Sequence, residues 1–113
     1  MGTKSDAAPD LLPGTLDMLI LRTLQRGADH GFGIARQLRT ISEEVVQVGE
    51  GSLYPSLQRL LVNGLVEAEW RMSENNRRAR YYRLTSTGQA HMVAEAARFD
   101  RMVLAIQRIM QTA

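Results

Sequence analysis

Apolar residues recur along this chain in two periods, and the switches between them mark the elements. In GTLDMLILRTLQRG (14–27), Leu16, Leu19, Ile20, Thr23 and Leu24 fall at helical spacing. Met18 and Leu21 widen that stripe enough for neighbours on two sides. Thr15 is the expected cap and Gly27 the expected stop. ADHGFGIARQLRTISEE (28–44) predicts a second helix, capped by Asp29, with Phe32, Ile34, Leu38 and Ile41 on one face. Gly31 and Gly33 in its first turn weaken helix propensity by up to about 1 kcal/mol each. Close approach of another backbone, of a phosphate or of the first helix would account for them.

VVQV (45–48), bounded by Gly49 and Gly51, predicts a short strand. GSLYPSLQRLLVNG (51–64) then predicts a third helix from a Ser52 cap to Asn63. Leu53, Leu57, Leu60 and Leu61 share one face; Pro55, Gln58, Arg59 and Val62 lie opposite, with Tyr54 and Ser56 at the margins. Pro55 falls in the first turn, where a missing N–H removes no intrahelical bond. Next the period drops to two. In LVEAEWRM (65–72), Val66, Ala68, Trp70 and Met72 alternate with Glu67, Glu69 and Arg71; in RYYRLT (80–85), Tyr82 and Leu84 oppose Tyr81 and Arg83. With SENNRRA (73–79) as its loop, this is a hairpin with a basic tip. Ser86 or Thr87 opens a last helix reaching about residue 110. In it Met92, Ala96, Phe99, Val103, Ile106 and Met110 form a narrow heptad-like seam, with Met102 and Ile109 widening it in part. A helix of about 24 residues is roughly 36 Å long, so its seam needs a surface beyond the domain's own core, and a second copy of the same helix fits best.

The totals narrow the chemistry. With 113 residues the chain has room for one domain, and 44 % hydrophobic with 23 % charged residues is ordinary for a globular protein. Net charge is only +2, but residues 71–83 hold five arginines against Glu74 alone, a local +4 that leaves the rest at −2. A field so focused on one hairpin suits phosphates. There is no cysteine, and two histidines are too few for a typical zinc site, so no metal or cofactor is expected. His30 fits a helix cap or a phosphate contact. No glycine-rich nucleotide loop, no paired acid–base carboxylates and no nucleophile beside a histidine support an enzyme. MGTKSDAAPD (1–10) reads as a loose tail without the apolar core of a signal peptide. The expected compartment is the cytosol.

The wording of several segments is also familiar. GTLDMLIL (14–21), HGFGIARQL (30–38), GSLYPSLQRLLVNGLVEAEW (51–70), SENNRRARYYRLTSTG (73–88) and the EAARF of the last helix together resemble the PadR family of bacterial transcriptional regulators, in its short form with a single C-terminal helix. The resemblance implies a mainly α (α+β) winged helix-turn-helix domain over 11–85 and a dimerisation helix over 86–113. It implies a homodimer that binds an operator, usually represses, and is released by a small, often aromatic, effector or by stress. The helix from Ser52 would then be the recognition helix and the loop 73–79 the wing. Met92, Ala96, Phe99, Val103, Ile106 and Met110 would join two copies. In some short members a tryptophan of the last helix stacks on ligands in an apolar cavity; the matching position here is Phe99, which keeps a π face but lacks the indole N–H. Trp70 is a second candidate for that cavity.

On this reading Ser52, Tyr54 and Pro55 at the helix entrance meet the DNA backbone, since a helix N-terminus offers unpaired N–H groups. Gln58 and Arg59 both project toward base edges, while Asn76, Arg77, Arg78 and Arg80 on the wing meet phosphates. Arg83 has Glu67 or Glu69 as an alternative partner. The low net charge leaves a second function open, a winged-helix protein–protein interaction module that binds no DNA.

Overall fold

The computed structural model describes residues 11–112, and the expected tail, 1–10, lies outside the described residues. Seven elements follow one another: α1 (Pro13–Leu24), β1 (Asp29–His30), α2 (Gly31–Ile41), α3 (Glu50–Val62), β2 (Val66–Met72), β3 (Arg78–Leu84) and α4 (Ser86–Gln111). The three strands form one antiparallel sheet in the order β1-β3-β2. Register runs from Val66 opposite Leu84, through Trp70 opposite Arg80, to Met72 opposite Arg78. Four helices and this small sheet make an α+β winged helix.

The core is where the helical stripes meet the sheet. Leu16, Ile20, Leu21 and Leu24 of α1 pack with Ile34 and Leu38 of α2 and with Leu53, Leu57 and Leu60 of α3. Val66, Tyr82 and Met92 close it from the sheet and α4. Every stripe read from helical spacing contributes, although Phe32 and Ile41 of α2 stay exposed. Fully burying one such side chain stabilises by about 1.5–3 kcal/mol, so this cluster fixes how α3 sits on α1.

Three element starts differ from the sequence expectation, each for a local reason, while α4 opens at Ser86 as expected. α1 begins at Pro13 with Leu12, not Thr15, as its cap residue. Leu12 precedes a proline, which forces it extended (φ −64°, ψ 145°), and proline suits the first helical position. Asp29 does not cap α2. It pairs with Tyr82 in β1, and the cap is His30, whose Nδ1 accepts from the Gly33 N–H at 3.0 Å. α3 starts two residues before Ser52, at Glu50, with extended Gly49 as its cap. Ser52 is therefore its third residue, and Pro55 lies inside the helix, in the second turn. α4 is capped by Thr85, whose hydroxyl accepts from the Gly88 N–H at 2.9 Å and donates to the Gly64 carbonyl at 2.8 Å.

The predicted strand 45–48 is absent. Its place at the sheet edge is taken by Asp29–His30, and Val46 and Val48 pack on the core from a loop instead. β3 also begins two residues earlier than expected, so the turn spans only 73–77, and Arg78 joins Arg80 on the strand. Asn76 takes the left-handed conformation there (φ 59°) that asparagine tolerates. No helix of the described residues is long and apolar enough to cross a membrane.

Candidate nucleic-acid interface

α3 turns one side to the core and one side out. Leu53, Ser56, Leu57 and Leu60 are buried. Ser56, expected at the margin, is therefore a core residue. At 100° per residue the opposite meridian carries Gly51, Pro55, Gln58 and Val62, all exposed. Tyr54 and Arg59 flank it on opposite sides. Gln58 makes no side-chain hydrogen bond among the described residues, whereas its neighbour Arg59 is engaged. Arg59 Nη2 donates to Asp17 Oδ1 at 3.0 Å and to Ser56 Oγ at 2.8 Å, and its Nε points to Asp17 Oδ2 at 3.4 Å.

Tyr54 leans the other way, onto the start of α2. A Cβ on Gly31 would come within 2.8 Å of its hydroxyl, and one on Gly33 would overlap the Asp29 carboxylate. The close approach at these two glycines is that of the Tyr54 and Asp29 side chains. Burial, then the charge of Glu50, raises the Tyr54 pKa, so its phenol is a proton donor at neutral pH. Asp29 completes this corner by accepting from the His30 N–H at 2.8 Å and from Gln37 Nε2 at 2.7 Å.

The hairpin sorts its arginines into two groups. Arg83 is paired with Glu67, the partner its position allowed, and Arg71 lies 3.7 Å from Glu69 and over Tyr81 at 4.0 Å. Arg77, Arg78 and Arg80 have no carboxylate within ion-pair distance among the described residues. Arg77 is exposed at the turn, where the Arg77 carbonyl accepts from the Ser73 N–H at 2.7 Å. Arg78 stacks over Trp70 at 4.9 Å and Arg80 over Tyr82 at 5.9 Å. Stacking orders a guanidinium plane while leaving its N–H edges free for acceptors. The sequence pattern expected Trp70 to face inward with Val66; it is 56 % exposed, because the strand has left the core by that point and Arg78 covers the ring. α2 joins the two surfaces, touching α3 through Gly31 and Tyr54 and the wing tip through Arg36, 3.8 Å from Glu74.

α4 leaves the core early. Met92 is 4 % exposed and Ala96 partly buried, but Phe99 is 42 %, Ile106 49 % and Met110 76 % exposed. Val103 is half-buried. Phe99 lines a hollow with Leu12, Thr15 and Met18, while Trp70 stands on the wing under Arg78. No cluster of three or more His, Asp or Glu among the described residues could hold a metal ion.

Asp17 is the residue that sequence reasoning missed. Its only signal was the one acid of a mostly apolar helix, and its partner is 42 positions away. The Arg36–Glu74 link had no local signal at all.

Comparison with known proteins gives one family. The sequence profile described as the transcriptional regulator PadR-like family matches residues 20–94. An uncharacterized protein of Lysinibacillus sphaericus is 30 % identical over 83 residues, which is 74 % of this chain and 76 % of that protein. Among solved structures, a transcriptional regulator from Clostridium thermocellum superposes with a TM-score of 0.77 at 26 % identity, covering 84 % of this chain and 92 % of that one. A PadR-like transcription factor from Bacteroides fragilis gives 0.70 at 27 % identity, over 86 % and 91 %.

Proposed function

The chain belongs to the PadR-like family of transcriptional regulators, and on that premise we propose that it is a homodimeric repressor that grips a palindromic operator with α3 and the wing of each copy. The observation that carries this reading is the sorting of charge on the hairpin. Arg71 and Arg83 each have an acid partner, as Arg36 and Arg59 do elsewhere, whereas Arg77, Arg78 and Arg80 have none among the described residues, and Arg78 and Arg80 are held in order by aromatic rings. Unpaired, ordered arginines beside an exposed helix are an arrangement for phosphate.

In this reading residues 11–85 form the DNA-binding unit and 86–113 the dimerisation helix. Ser52, Tyr54 and Pro55 approach the backbone near the α3 entrance, and Asn76, Arg77, Arg78 and Arg80 hold the neighbouring groove. Phe99, Ile106 and Met110 are apolar and exposed within one copy, with Val103 half-buried between them; a second α4 would cover them and, by two-fold symmetry, set the recognition helices about one duplex turn, roughly 34 Å, apart. A planar effector entering beside Phe99 would change that spacing, and a coupling of about 1–3 kcal/mol suffices to alter occupancy several-fold or more.

The test is operator binding against salt. Neutralising about 6–10 phosphates per dimer makes affinity fall by roughly 10³–10⁵ between 50 and 200 mM salt. A flat response, or no retardation of any duplex at low salt, would overturn the reading in favour of a winged-helix module that binds protein.

A further inference from the structure

We propose that Asp17 is a positioning residue for the recognition helix, and that Gln58, not Arg59, is the specificity-determining side chain, taking an adenine in each half-site. The inference rests on the DNA-binding reading above and deepens it. It stands on the juxtaposition of Asp17 of α1, Arg59 and buried Ser56 of α3, with Gln58 left free one residue away.

An arginine reads guanine by laying two N–H groups of its fork on O6 and N7. In Arg59 the Nε/Nη2 edge already lies against both oxygens of Asp17, at 3.4 and 3.0 Å. Its Nη2 is held a second time, by Ser56 Oγ at 2.8 Å, and that serine is 1 % exposed. Swinging Arg59 to a base would break all three contacts. It would also leave the Asp17 carboxylate, whose side chain is only 21 % exposed, unpaired beside DNA phosphates. The acid is the more buried partner, on the helix that supplies four core residues, so α1 is the fixed side and Arg59 is tied to it.

Gln58 differs on each count. It is rotated 100° from Arg59 toward the centre of the outer face. Its neighbours on that meridian, Pro55 and Val62, bring no side-chain donor or acceptor, so Gln58 is the one side chain there with both. A carboxamide offers one acceptor and one donor side by side, the complement of adenine N6 and N7 in the major groove. Pro55 and Val62 provide apolar contact suited to a thymine methyl.

The experiment is selection of bound sequences from a random duplex pool with the full chain, wild type against Gln58→Ala, Arg59→Ala, Asp17→Asn and the Asp17→Asn/Arg59→Ala double variant. The expected result is that Gln58→Ala loses about tenfold preference for A·T at one symmetric position per half-site. Arg59→Ala and Asp17→Asn weaken binding to all duplexes by one common factor and recover the wild-type sequence. The double variant binds no worse than Arg59→Ala alone, because Asp17 acts through Arg59. Relaxed preference in Arg59→Ala, or unchanged preference in Gln58→Ala, overturns the proposal while the regulator reading stands. Failure of the wild type to select any sequence overturns the regulator reading itself. Gln58 touches no side chain by hydrogen bond, so its variant tests the claim even if loss of Asp17 disturbs folding.

Discussion

α3 and the distal half of α4 both turn a side to solvent that the fold does not cover, and the two sides differ in chemistry. α3 is pinned by Leu53, Leu57 and Leu60 along its inner face, by Arg59 to Asp17, and by Tyr54 on Gly31. Its outer face mixes Ser52, Gln58 and Arg59 with exposed Pro55 and Val62, and carries no continuous apolar seam. Beyond Ala96, α4 has no such pins, yet it shows water Phe99, Met102, Ile106, Ile109 and Met110. An anchored helix whose outer face is broken by polar side chains loses little by staying free until a ligand comes. An unanchored helix with an apolar face remains unfavourable until something covers it. The first suits the recognition surface proposed above, and the second is the face that the proposed dimer would cover.

The largest effect is expected where the apolar face is broken. Ile106→Asp should convert the protein to monomers in sedimentation and lower operator affinity by at least about a hundredfold, since a linked second site contributes about 10²–10⁴, with the far-ultraviolet spectrum unchanged; a dimer that persists would refute the assignment of the interface to α4. Next comes the anchored side. Leu57→Ala should destabilise the fold by about 2–5 kcal/mol in urea titration, because Leu57 is 1 % exposed at the centre of the cluster. A shift below about 1 kcal/mol would mean that α3 is not pinned as described.

Smaller effects sharpen the polar surface. Replacing Arg77, Arg78 and Arg80 by alanine should reduce the salt slope of binding by about one per lost phosphate contact while the selected sequence stays the same. A slope equal to wild type would remove the wing from the interface. Tyr54→Phe keeps the ring against Gly31 but deletes a donor, so operator affinity should drop about fivefold, the equivalent of about 1 kcal/mol for one hydrogen bond; no change would place the hydroxyl off the DNA.

Periodicity found what depends on burial. Leu16, Ile20 and Leu24, or Leu53, Leu57 and Leu60, announce an inner face because the same side of a helix returns every three to four residues. Val66 and Tyr82 do so for the strands. Starts and edges were less legible. Thr15, Asp29 and Ser52 all have capping side chains, but Pro13, the pairing of Asp29 with Tyr82 and the extended Gly49 determined where each helix began. VVQV has strand propensity, and propensity cannot say whether a sheet edge is vacant. Of the candidate site, the outer residues of α3 and the basic tip could be read directly, since exposure follows from the same period as burial.

From its amino-acid order alone this chain determined which residues are inner and outer, where basic charge gathers, and that its last helix carries more apolar seam than one domain can bury; these depend on neighbours a few positions apart. Only the folded arrangement decided which arginines are already satisfied. That Asp17 meets Arg59, that Arg83 takes Glu67 and not Glu69, and that Arg77, Arg78 and Arg80 meet no acid among the described residues depends on the packing of α1 on α3 and on strand register. Such pairings join positions far apart in the chain, and no local period encodes them.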